Sequence, residues 1–345
     1  MDAPLKKIKN EQELDEMLSR PTEDLVRMMS GLDGDILFLG VAGKIGISMA
    51  VMARRAIDQA GVDKRVIGLS RFSQKNQIQI LEKEGIEIIQ GDLLDPSFVK
   101  VLPKIKNIIF LAGMKFGSED NLSLTWAINS YLPGLVADHF TESRIVAFST
   151  GCVYPLVPVS YGGSKEADKP GPVGEYAQSC LGRERMFEYG SIRHGTPVIL
   201  IRLNYAVEMR YGVLVDIALK VKNRKPIDLT MGHFNVIWQG DANAMILQAL
   251  KYCESPARIL NITGQEILSV KEVAIRFGTL LGVEPEFIGK ESETALLSDA
   301  KESFKLFGYP GISVETMMIW IADWISNDRA LLNKPTHFEV RDGKY

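Results

Sequence analysis

Thr150, Tyr176 and Cys180 are the residues whose types and spacing could do chemistry. Tyr176 and Cys180 lie four positions apart in Tyr-Ala-Gln-Ser-Cys, and an α-helix places such a pair on one face. Thr150 follows an apolar segment in Phe-Ser-Thr-Gly-Cys. A phenol ordinarily titrates at about 10 and a thiol at about 8.5, so neither supplies a fixed positive charge at neutral pH. A free cysteine is also more often an inert small hydrophobic residue than a nucleophile.

The bulk properties predict an ordinary globular protein. The chain has 345 residues, of which 46% are hydrophobic and 24% charged, and its formal net charge is −3. That charge gives no reason to expect a nucleic acid or a membrane surface as a partner. The odd number of widely spaced cysteines argues against a disulfide framework. The N-terminus has no apolar signal segment and no apolar run is long enough to span a membrane, so a cytoplasmic location is expected.

The elements that must position these residues alternate between strand and helix from Asp35 onward. The continuous apolar run at 36–39 is typical of a strand that is buried on both faces. Further strands are predicted at 66–69, 86–89, 108–111, 145–148 and 198–203, with helices at 44–60, 74–84, 121–140 and 175–193. This alternation predicts an α/β fold with a Rossmann-like, doubly wound parallel sheet.

The predicted domain organisation has four parts. Residues 1–33 form an N-terminal helical cap, and residues 34–205 form the NAD(P)-binding Rossmann domain. Residues 206–330, where the alternation loosens, form a smaller C-terminal α/β domain that faces the substrate. Residues 331–345 form a polar tail, which is expected to be peripheral.

The turn after the first strand carries a glycine pattern suited to phosphates. Gly40, Gly43 and Gly46 form G-x-x-G-x-x-G directly between a strand and a helix, with Lys44 and Ile45 inside the pattern. Such glycines allow a tight turn, a close approach of the backbone to a pyrophosphate and close packing of helix against strand. The N-terminus of the following helix adds N–H groups and a positive dipole end. The turn therefore predicts a dinucleotide site.

The end of the second strand bears on the choice of cofactor. An acidic residue there binds the ribose 2′-hydroxyl of NAD, whereas a basic residue accommodates a 2′-phosphate. The strand ends in Leu-Ser-Arg, and its tip has no carboxylate. Arg71 has a fork-shaped donor group suited to phosphate, although it could also be a solvated loop residue. NADP is therefore predicted in preference to NAD.

Together these motifs resemble the extended branch of the short-chain dehydrogenase/reductase superfamily, the NAD-dependent epimerase/dehydratase family that includes UDP-galactose 4-epimerases. The resemblance covers residues 35–330. It includes the glycine turn, Thr150, Tyr176, and the later segments Arg-Leu-Asn-Tyr at 202–205 and Trp-Gln-Gly-Asp at 238–241. It implies that Tyr176 exchanges a proton with a substrate oxygen, that Thr150 orients this oxygen, and that a bound nicotinamide exchanges hydride with the substrate carbon.

The resemblance implies further site residues. Those near the cofactor would be Asp92 and Leu93 after the third strand, Leu111, Ala112 and Gly113 after the fourth, Asn129, and Leu203. Asp92 could equally cap a helix before Pro96. Those near the substrate would be Lys115, Tyr154 and Asn204. No metal site is predicted, because the four histidines are dispersed.

Cys180 is the departure from the resemblance, because the family has a lysine four residues after the tyrosine. That lysine binds the nicotinamide ribose and lowers the pKa of the tyrosine. Three interpretations remain open. Another cation, first Lys115 and then Lys44 or Arg183, takes over the electrostatic role; the chemistry uses a neutral tyrosine or the Cys180 thiol; or the site binds NADP(H) without turnover.

The resemblance leads to one main functional prediction and one alternative. The main prediction is an NAD(P)-dependent epimerase, dehydratase or oxidoreductase that acts on a small carbohydrate-type substrate, a sugar or a sugar nucleotide. The alternative is a catalytically silent NADP(H)-binding sensor that regulates a partner. A homodimer is expected from the resemblance, through helices that include residues 121–140 and 175–193.

Overall fold

A seven-stranded, all-parallel sheet forms the centre of the molecule. The computed structural model describes residues 7–115, 117–118, 120–334 and 336–344. The sheet strands are β1 (Ile36–Leu39), β2 (Val66–Ser70), β3 (Glu87–Gln90), β4 (Asn107–Phe110), β5 (Arg144–Thr150), β6 (Val198–Leu203) and β7 (Arg258–Ile262). Their order across the sheet is β7-β6-β5-β4-β1-β2-β3. The predicted Rossmann-like, doubly wound sheet is therefore confirmed.

Strand β1 is apolar along its whole length because both faces of the sheet are covered. All four residues of β1 are fully buried; Ile36 and Phe38 contribute to the core on one face, and Leu37 and Leu39 to the core on the other. Parallel pairing sets Thr150 at the end of β5 beside Leu203 at the end of β6. The carboxyl ends of these strands therefore meet along one edge of the sheet.

Thirteen α-helices occur in the described part of the chain. They are α1 (Glu11–Leu18), α2 (Glu23–Gly31), α3 (Gly46–Gln59), α4 (Lys75–Lys83), α5 (Pro96–Lys100), α6 (Leu122–Trp126), α7 (Leu132–His139), α8 (Gly174–His194), α9 (Val213–Lys222), α10 (Gln239–Gln248), α11 (Val270–Leu281), α12 (Lys301–Phe307) and α13 (Val314–Ser326). A π-helical turn at Ala127–Tyr131 joins α6 to α7. Helices α2, α3 and α10 cover one face of the sheet, and α5, α7 and α8 cover the other.

A second core lies beyond the carboxyl edge of the sheet. Helices α9, α11 and α13 pack together there, with Trp238 against Trp320 at 5.6 Å between ring centroids. Short strands accompany them at Val157–Pro158, Ala206–Val207, Ile227–Asp228, His233–Phe234, Ile237–Trp238, Leu268–Ser269, Phe287–Ile288 and Thr294–Ala295. Short 3₁₀ turns lie at Gly151–Val153, Val159–Tyr161 and Ala249–Tyr252.

The division of the chain at residue 205 needs one amendment. Strand β7 lies inside the range predicted for the substrate-facing domain, yet it pairs with β6 and completes the central sheet. Helix α10, from the same range, packs on α3. The chain therefore returns to the sheet after first leaving it, because the apolar run at 259–262 is buried best as a sheet strand.

The C-terminal segment is not peripheral, and that expectation is wrong. Phe338 is 1% exposed, and its ring lies 6.0 Å from the Phe234 ring. Thr336 is 2% exposed and donates hydrogen bonds from its N–H and its hydroxyl to Asp216 Oδ2, at 2.8 and 2.6 Å. A single aromatic residue within a polar segment gives little sequence signal, but it is enough to anchor the segment.

Candidate active site

The glycine turn between β1 and α3 has the backbone shape that its sequence predicts. Gly40 has a φ of +91°, and a Cβ there would lie 2.7 Å from the backbone nitrogen of Ala112. A Cβ on Gly46 would overlap the carbonyl of Val41. A Cβ on Gly43, in contrast, would meet only the Gly40 carbonyl oxygen, at 3.4 Å. Two of the glycines are thus required by the fold, and the third leaves backbone open to a ligand.

A cavity of about 360 Å³, here called the turn cavity, lies beside this turn. Eight of the predicted cofactor residues line it: Gly40, Gly43, Arg71, Asp92, Leu93, Leu111, Ala112 and Gly113. Arg71 lies at the rim with its side chain 66% exposed, and its Nη1 is 3.9 Å from Asp92 Oδ2. Arg71, predicted to bind a 2′-phosphate, and Asp92, predicted to lie near the cofactor, therefore face the same space.

A second cavity of about 250 Å³, here called the tyrosine cavity, continues along the carboxyl edge of the sheet. The predicted residues that line it are Lys44, Ile45, Leu111, Gly113, Lys115, Thr150, Tyr176, Leu203 and Asn204. Leu111 and Gly113 line both cavities. The two cavities therefore adjoin at these residues and are together called the groove, with the glycine turn at one end and Thr150 and Tyr176 at the other.

Tyr176 and Cys180 lie on the same face of α8, as their spacing predicts. The phenol donates a hydrogen bond to the Cys180 sulfur, which raises the pKa of the phenol and lowers that of the thiol. Burial dominates for both groups: it holds the pKa of Tyr176 well above its ordinary value and raises the pKa of Cys180 to about 11. Both groups are therefore protonated at neutral pH, and the thiol is a poor nucleophile.

Arg183 is the buried cation that acts on this pair. Its guanidinium lowers the pKa of both Tyr176 and Cys180, opposing the larger effect of burial. The residue is 5% exposed, and it donates from Nη1 to the Phe148 carbonyl at 2.9 Å and from Nη2 to Asn129 Oδ1 at 2.6 Å. Within the described residues, Arg183 makes no ion pair with a carboxylate. The described hydrogen bonds of its guanidinium therefore go to neutral oxygens, and Arg183 itself lines the tyrosine cavity.

Lys115 and Lys44 lie on the other side of the tyrosine cavity. Lys115 Nζ is 5.9 Å from the centroid of the Tyr176 ring and donates to the Thr336 carbonyl at 3.2 Å. Lys44 Nζ lies 3.4 Å from the centroid of the Tyr211 ring. Burial lowers the pKa of Lys44 to about 7, against the attraction of Glu208. All three cations considered from the sequence therefore line one cavity.

A buried ion pair fixes the position of α8 against the sheet. Glu184 accepts hydrogen bonds from Arg202 Nε at 2.9 Å and Arg202 Nη2 at 2.7 Å, and from Ser149 Oγ at 2.5 Å. Both charged side chains are at most 1% exposed. Because breaking a buried pair leaves a charge without compensation, this contact holds the tyrosine helix against β5 and β6.

Four predicted site residues do not line the groove. Asn129 is fully buried and clamps Met114, accepting from its N–H at 2.8 Å and donating to its carbonyl at 2.9 Å. Tyr154 is also buried, and its hydroxyl donates to Asn261 at 2.9 Å. Cys180 lies behind Tyr176, and Gly46 lies beneath the turn. The structure places these four as supports of the groove.

The lining residues of the tyrosine cavity that the sequence did not identify as site residues include Tyr205, Tyr211 and Thr336. Tyr205 has a φ of +45°, and burial holds its pKa well above the ordinary value. Tyr205 lies just after the predicted carboxyl end of β6, and this position alone could have indicated a site residue. Tyr211 and Thr336 reach the site only through the packing of the second core and the C-terminal segment.

The fold is shared with solved structures, two of which contain NAD. Over 86% of this chain and 100% of the other, it superposes on Pal from Bacillus thuringiensis with a TM-score of 0.70 at 19% identity. A dTDP-glucose 4,6-dehydratase, DesIV from Streptomyces venezuelae with NAD and TYD bound, superposes over 85% of this chain and 97% of its own. The TM-score is 0.71 and the sequence identity is 17%. UDP-glucuronic acid 4-epimerase from Bacillus cereus, in complex with UDP-glucuronic acid and NAD, superposes over 85% of this chain and 99% of its own. The TM-score is 0.70 and the sequence identity is 17%. The chain therefore has the fold of these epimerase and dehydratase structures.

No protein-family model matches the chain, and no curated protein matches it. Within the described residues, no group of three or more His, Cys, Asp or Glu side chains is arranged to hold a metal ion. None of the helices described is long and apolar enough to cross a membrane.

Proposed function

We propose that this protein is an NAD(P)-dependent enzyme of the extended short-chain dehydrogenase/reductase family that acts on a carbohydrate-type substrate as an epimerase, dehydratase or oxidoreductase. The observation that carries the proposal is that the two cavities of the groove adjoin, with the glycine turn at one end and Thr150 and Tyr176 at the other. Two of the solved structures that share the fold contain NAD.

The residues along the groove fit a nicotinamide dinucleotide. At Gly40 and Gly46 a Cβ would overlap the neighbouring backbone, so the turn is tightly packed there, whereas the backbone at Gly43 is open to the groove. The shared wall at Leu111 and Gly113 lets an elongated ligand run from the turn cavity into the tyrosine cavity. When bound, the nicotinamide would supply hydride exchange at a substrate carbon.

Tyr176 is assigned the proton transfer and Thr150 the orientation of the substrate oxygen. The Thr150 Oγ1 accepts from the Cys152 N–H at 3.1 Å, which leaves its hydroxyl proton for a substrate. The raised pKa of Tyr176 suits the donation of a proton to a forming alkoxide. Arg183, rather than a residue at position 180, is assigned the background positive charge, because it is buried and acts on the pKa of Tyr176.

The preference for NADP stays a proposal that rests on Arg71. Its guanidinium is mostly exposed at the rim of the turn cavity, where a 2′-phosphate would be accessible to it, but Asp92 lies within 3.9 Å and offsets part of its charge. We therefore expect tighter binding of NADP than NAD, and a selective loss of NADP affinity in Arg71→Ala. Tighter binding of NAD by the wild type would contradict this preference.

One observation favours the alternative of a silent NADP(H)-binding sensor. The pKa of Tyr176 is raised, mainly by burial, and the residue at 180 adds no positive charge to lower it. A phenol that stays protonated cannot act as a base for oxidation. A sensor and an enzyme are therefore distinguished by turnover, not by cofactor binding.

The decisive experiment measures cofactor binding and turnover in the same preparations. Titration with NADP(H) and NAD(H) should show binding by the wild type and by Tyr176→Phe with similar affinity. Reduced-nicotinamide absorbance and product chromatography with a panel of sugars should show turnover by the wild type, and a loss of about 10²–10⁴-fold in Tyr176→Phe. Binding without turnover in both proteins would support the sensor, and absence of binding would refute both proposals.

A homodimer is also proposed, supported by exposed apolar side chains on the helices expected to form it. Tyr189 and Ile192 on α8 are 58% and 68% exposed, and Tyr131 on the adjoining π-helical turn is 53% exposed. Contiguous exposed apolar surface of this kind is typical of protein interfaces.

A further inference from the structure

The tyrosine cavity is lined by cations, and the described residues that line it include no Asp or Glu. Lys44, Lys115 and Arg183 all contribute to its wall. The described hydrogen bonds of Arg183 go to neutral oxygens, and its Nε is buried without a partner in the structure. Because a buried charge is stabilised only when it is paired or fully hydrogen-bonded, this cavity is electrostatically complementary to an anion.

The excess of positive charge in the tyrosine cavity has a clear effect on Lys44. Lys115 and Arg210 both lower its pKa by repulsion, in addition to the larger effect of burial, and Glu208 opposes them. Glu208 is itself engaged by Arg210, which donates to it from N–H at 3.0 Å and from Nε at 3.2 Å. An anionic group placed near both lysines would relieve the repulsion between them. Such a group would also form charge-assisted hydrogen bonds, which are stronger than neutral ones.

The C-terminal segment limits the size of what the cavity can hold. Thr336 forms part of the wall, its carbonyl accepts from Lys115, and Asp216 fixes its N–H and hydroxyl. Phe338 anchors the next turn in the second core, and Arg341 donates to the carbonyls of Thr230 and Thr294 at 3.0 and 2.8 Å. The segment is thus a packed wall, and the cavity of about 250 Å³ must also accept the nicotinamide end of a cofactor.

We propose that the substrate is a small anionic polyol, a sugar acid or a sugar phosphate without a nucleotide, whose anionic group is bound by Lys44 and Lys115. The carbinol to be oxidised or reduced then lies against Thr150 and Tyr176. This inference rests on the proposed function and deepens it, because it names the chemical class of the substrate for the same site. A nucleotide sugar would add a base, a ribose and a diphosphate to what this cavity of about 250 Å³ must hold beside the nicotinamide, so the smaller anion fits better.

The test compares four probes of related structure on the full-length protein. D-Glucose, D-glucuronate and D-glucose 6-phosphate share a ring and differ in the group at the sixth carbon, and UDP-glucuronate adds the nucleotide. Calorimetry with and without NADP should show D-glucuronate or D-glucose 6-phosphate binding at least about tenfold more tightly than D-glucose, the gain expected of one charge-assisted contact. Which of the two anions binds better distinguishes the carboxylate from the phosphate.

Three variants test whether the preference for anionic sugars arises in the tyrosine cavity. Lys115→Met should reduce the affinity for the anionic probes to the level of D-glucose, while Lys115→Arg, which keeps the charge, should retain most of it. Lys83→Met, on the exposed side of α4, is the matched control and should leave all affinities unchanged. Thermal unfolding of each variant separates a local effect from a loss of fold.

Either of two results would overturn the inference: equal affinities for D-glucose and for both anions, or tighter binding of UDP-glucuronate than of D-glucuronate. The proposed function fails in a distinguishable way. If neither NADP nor NAD binds while the anion preference and its loss in Lys115→Met persist, the groove is an anion site and not a nicotinamide site.

Discussion

At the scale of single residues, the uncharged Cys180 makes Arg183 the proposed source of positive charge beside Tyr176. The thiol cannot lower the pKa of Tyr176, because burial keeps it protonated and the phenol donates to it. Arg183 lies three residues further along the same helix, so it faces the same cavity one turn away. In the proposed mechanism, the positive charge that lowers the pKa of Tyr176 therefore comes from this position of the helix.

The proposed role of Arg183 predicts how the rate of oxidation depends on pH. Oxidation requires the phenolate of Tyr176, so its rate should rise with pH until the pKa of the phenol is reached. Arg183 lowers that pKa, and its removal in Arg183→Met should shift the rise to higher pH by about one unit, with a loss of about tenfold in rate at a given pH below it. The measurement is a pH profile of kcat with whichever sugar probe the wild type oxidises.

A conservative variant separates the electrostatic role of Arg183 from its packing. Arg183→Lys keeps the charge but loses the forked contacts to Phe148 and Asn129, so it should keep the pH profile even where stability falls. An unchanged pH profile in Arg183→Met would show that the residue only supports the fold.

At the scale of elements, the glycine turn contains glycines that the fold requires and one that we expect only cofactor binding to require. Gly40 is required by its positive φ and by the neighbouring backbone, whereas a Cβ on Gly43 meets only one oxygen, at 3.4 Å. Gly43→Ala should therefore fold with little change in its unfolding temperature. It should nevertheless bind NADP at least about tenfold more weakly, because the added methyl group stands where the pyrophosphate would approach the backbone.

The matched control for Gly43→Ala is Gly31→Ala at the end of α2. A Cβ on Gly31 has no neighbour within 4 Å, and this glycine lies away from the groove. It should leave both stability and cofactor affinity unchanged. If Gly43→Ala bound NADP as tightly as the wild type, a dinucleotide would not cross the turn at this point.

The elements that the sequence predicted are those with strong local patterns. The apolar runs at 36–39, 145–148 and 198–203 are strands because both faces are buried, and the glycine spacing defines the turn. The spacing of Tyr176 and Cys180 placed both on one helix face. These features need only nearby residues to be recognised.

The features that the sequence did not predict depend on distant contacts. Strand β7 joins the sheet after a long excursion of the chain, and Thr336 reaches the cavity through Asp216, which is 120 positions away in sequence. Asn129 and Tyr154 match motifs by position, but whether their side chains point into the groove or behind it is decided by Arg183, Met114 and Asn261. Motif positions therefore located the site, and packing determined which side chains line it.

At the scale of the whole molecule, α8 links the site to the proposed dimer surface. Its inner face carries Tyr176 and Cys180, and its Glu184 pairs with Arg202 of the sheet. Its outer face exposes Met186, Tyr189 and Ile192, spaced three residues apart, so they form one stripe. Association on this face would cover the stripe without obstructing the groove on the inner side.

The dimer prediction is tested by placing charge on this stripe. In Tyr189→Glu/Ile192→Glu, two carboxylates from each copy would be brought together in an apolar interface, at a cost that exceeds the gain of association. Light scattering after size-exclusion chromatography should show the wild type at twice the mass of the chain and the variant at the mass of one chain. Ile275→Glu, on α11 in the second core and 48% exposed, is the matched control and should stay dimeric. A wild type that elutes as a monomer at all concentrations would contradict the prediction, and a variant that remains dimeric would place the interface on another face of the molecule.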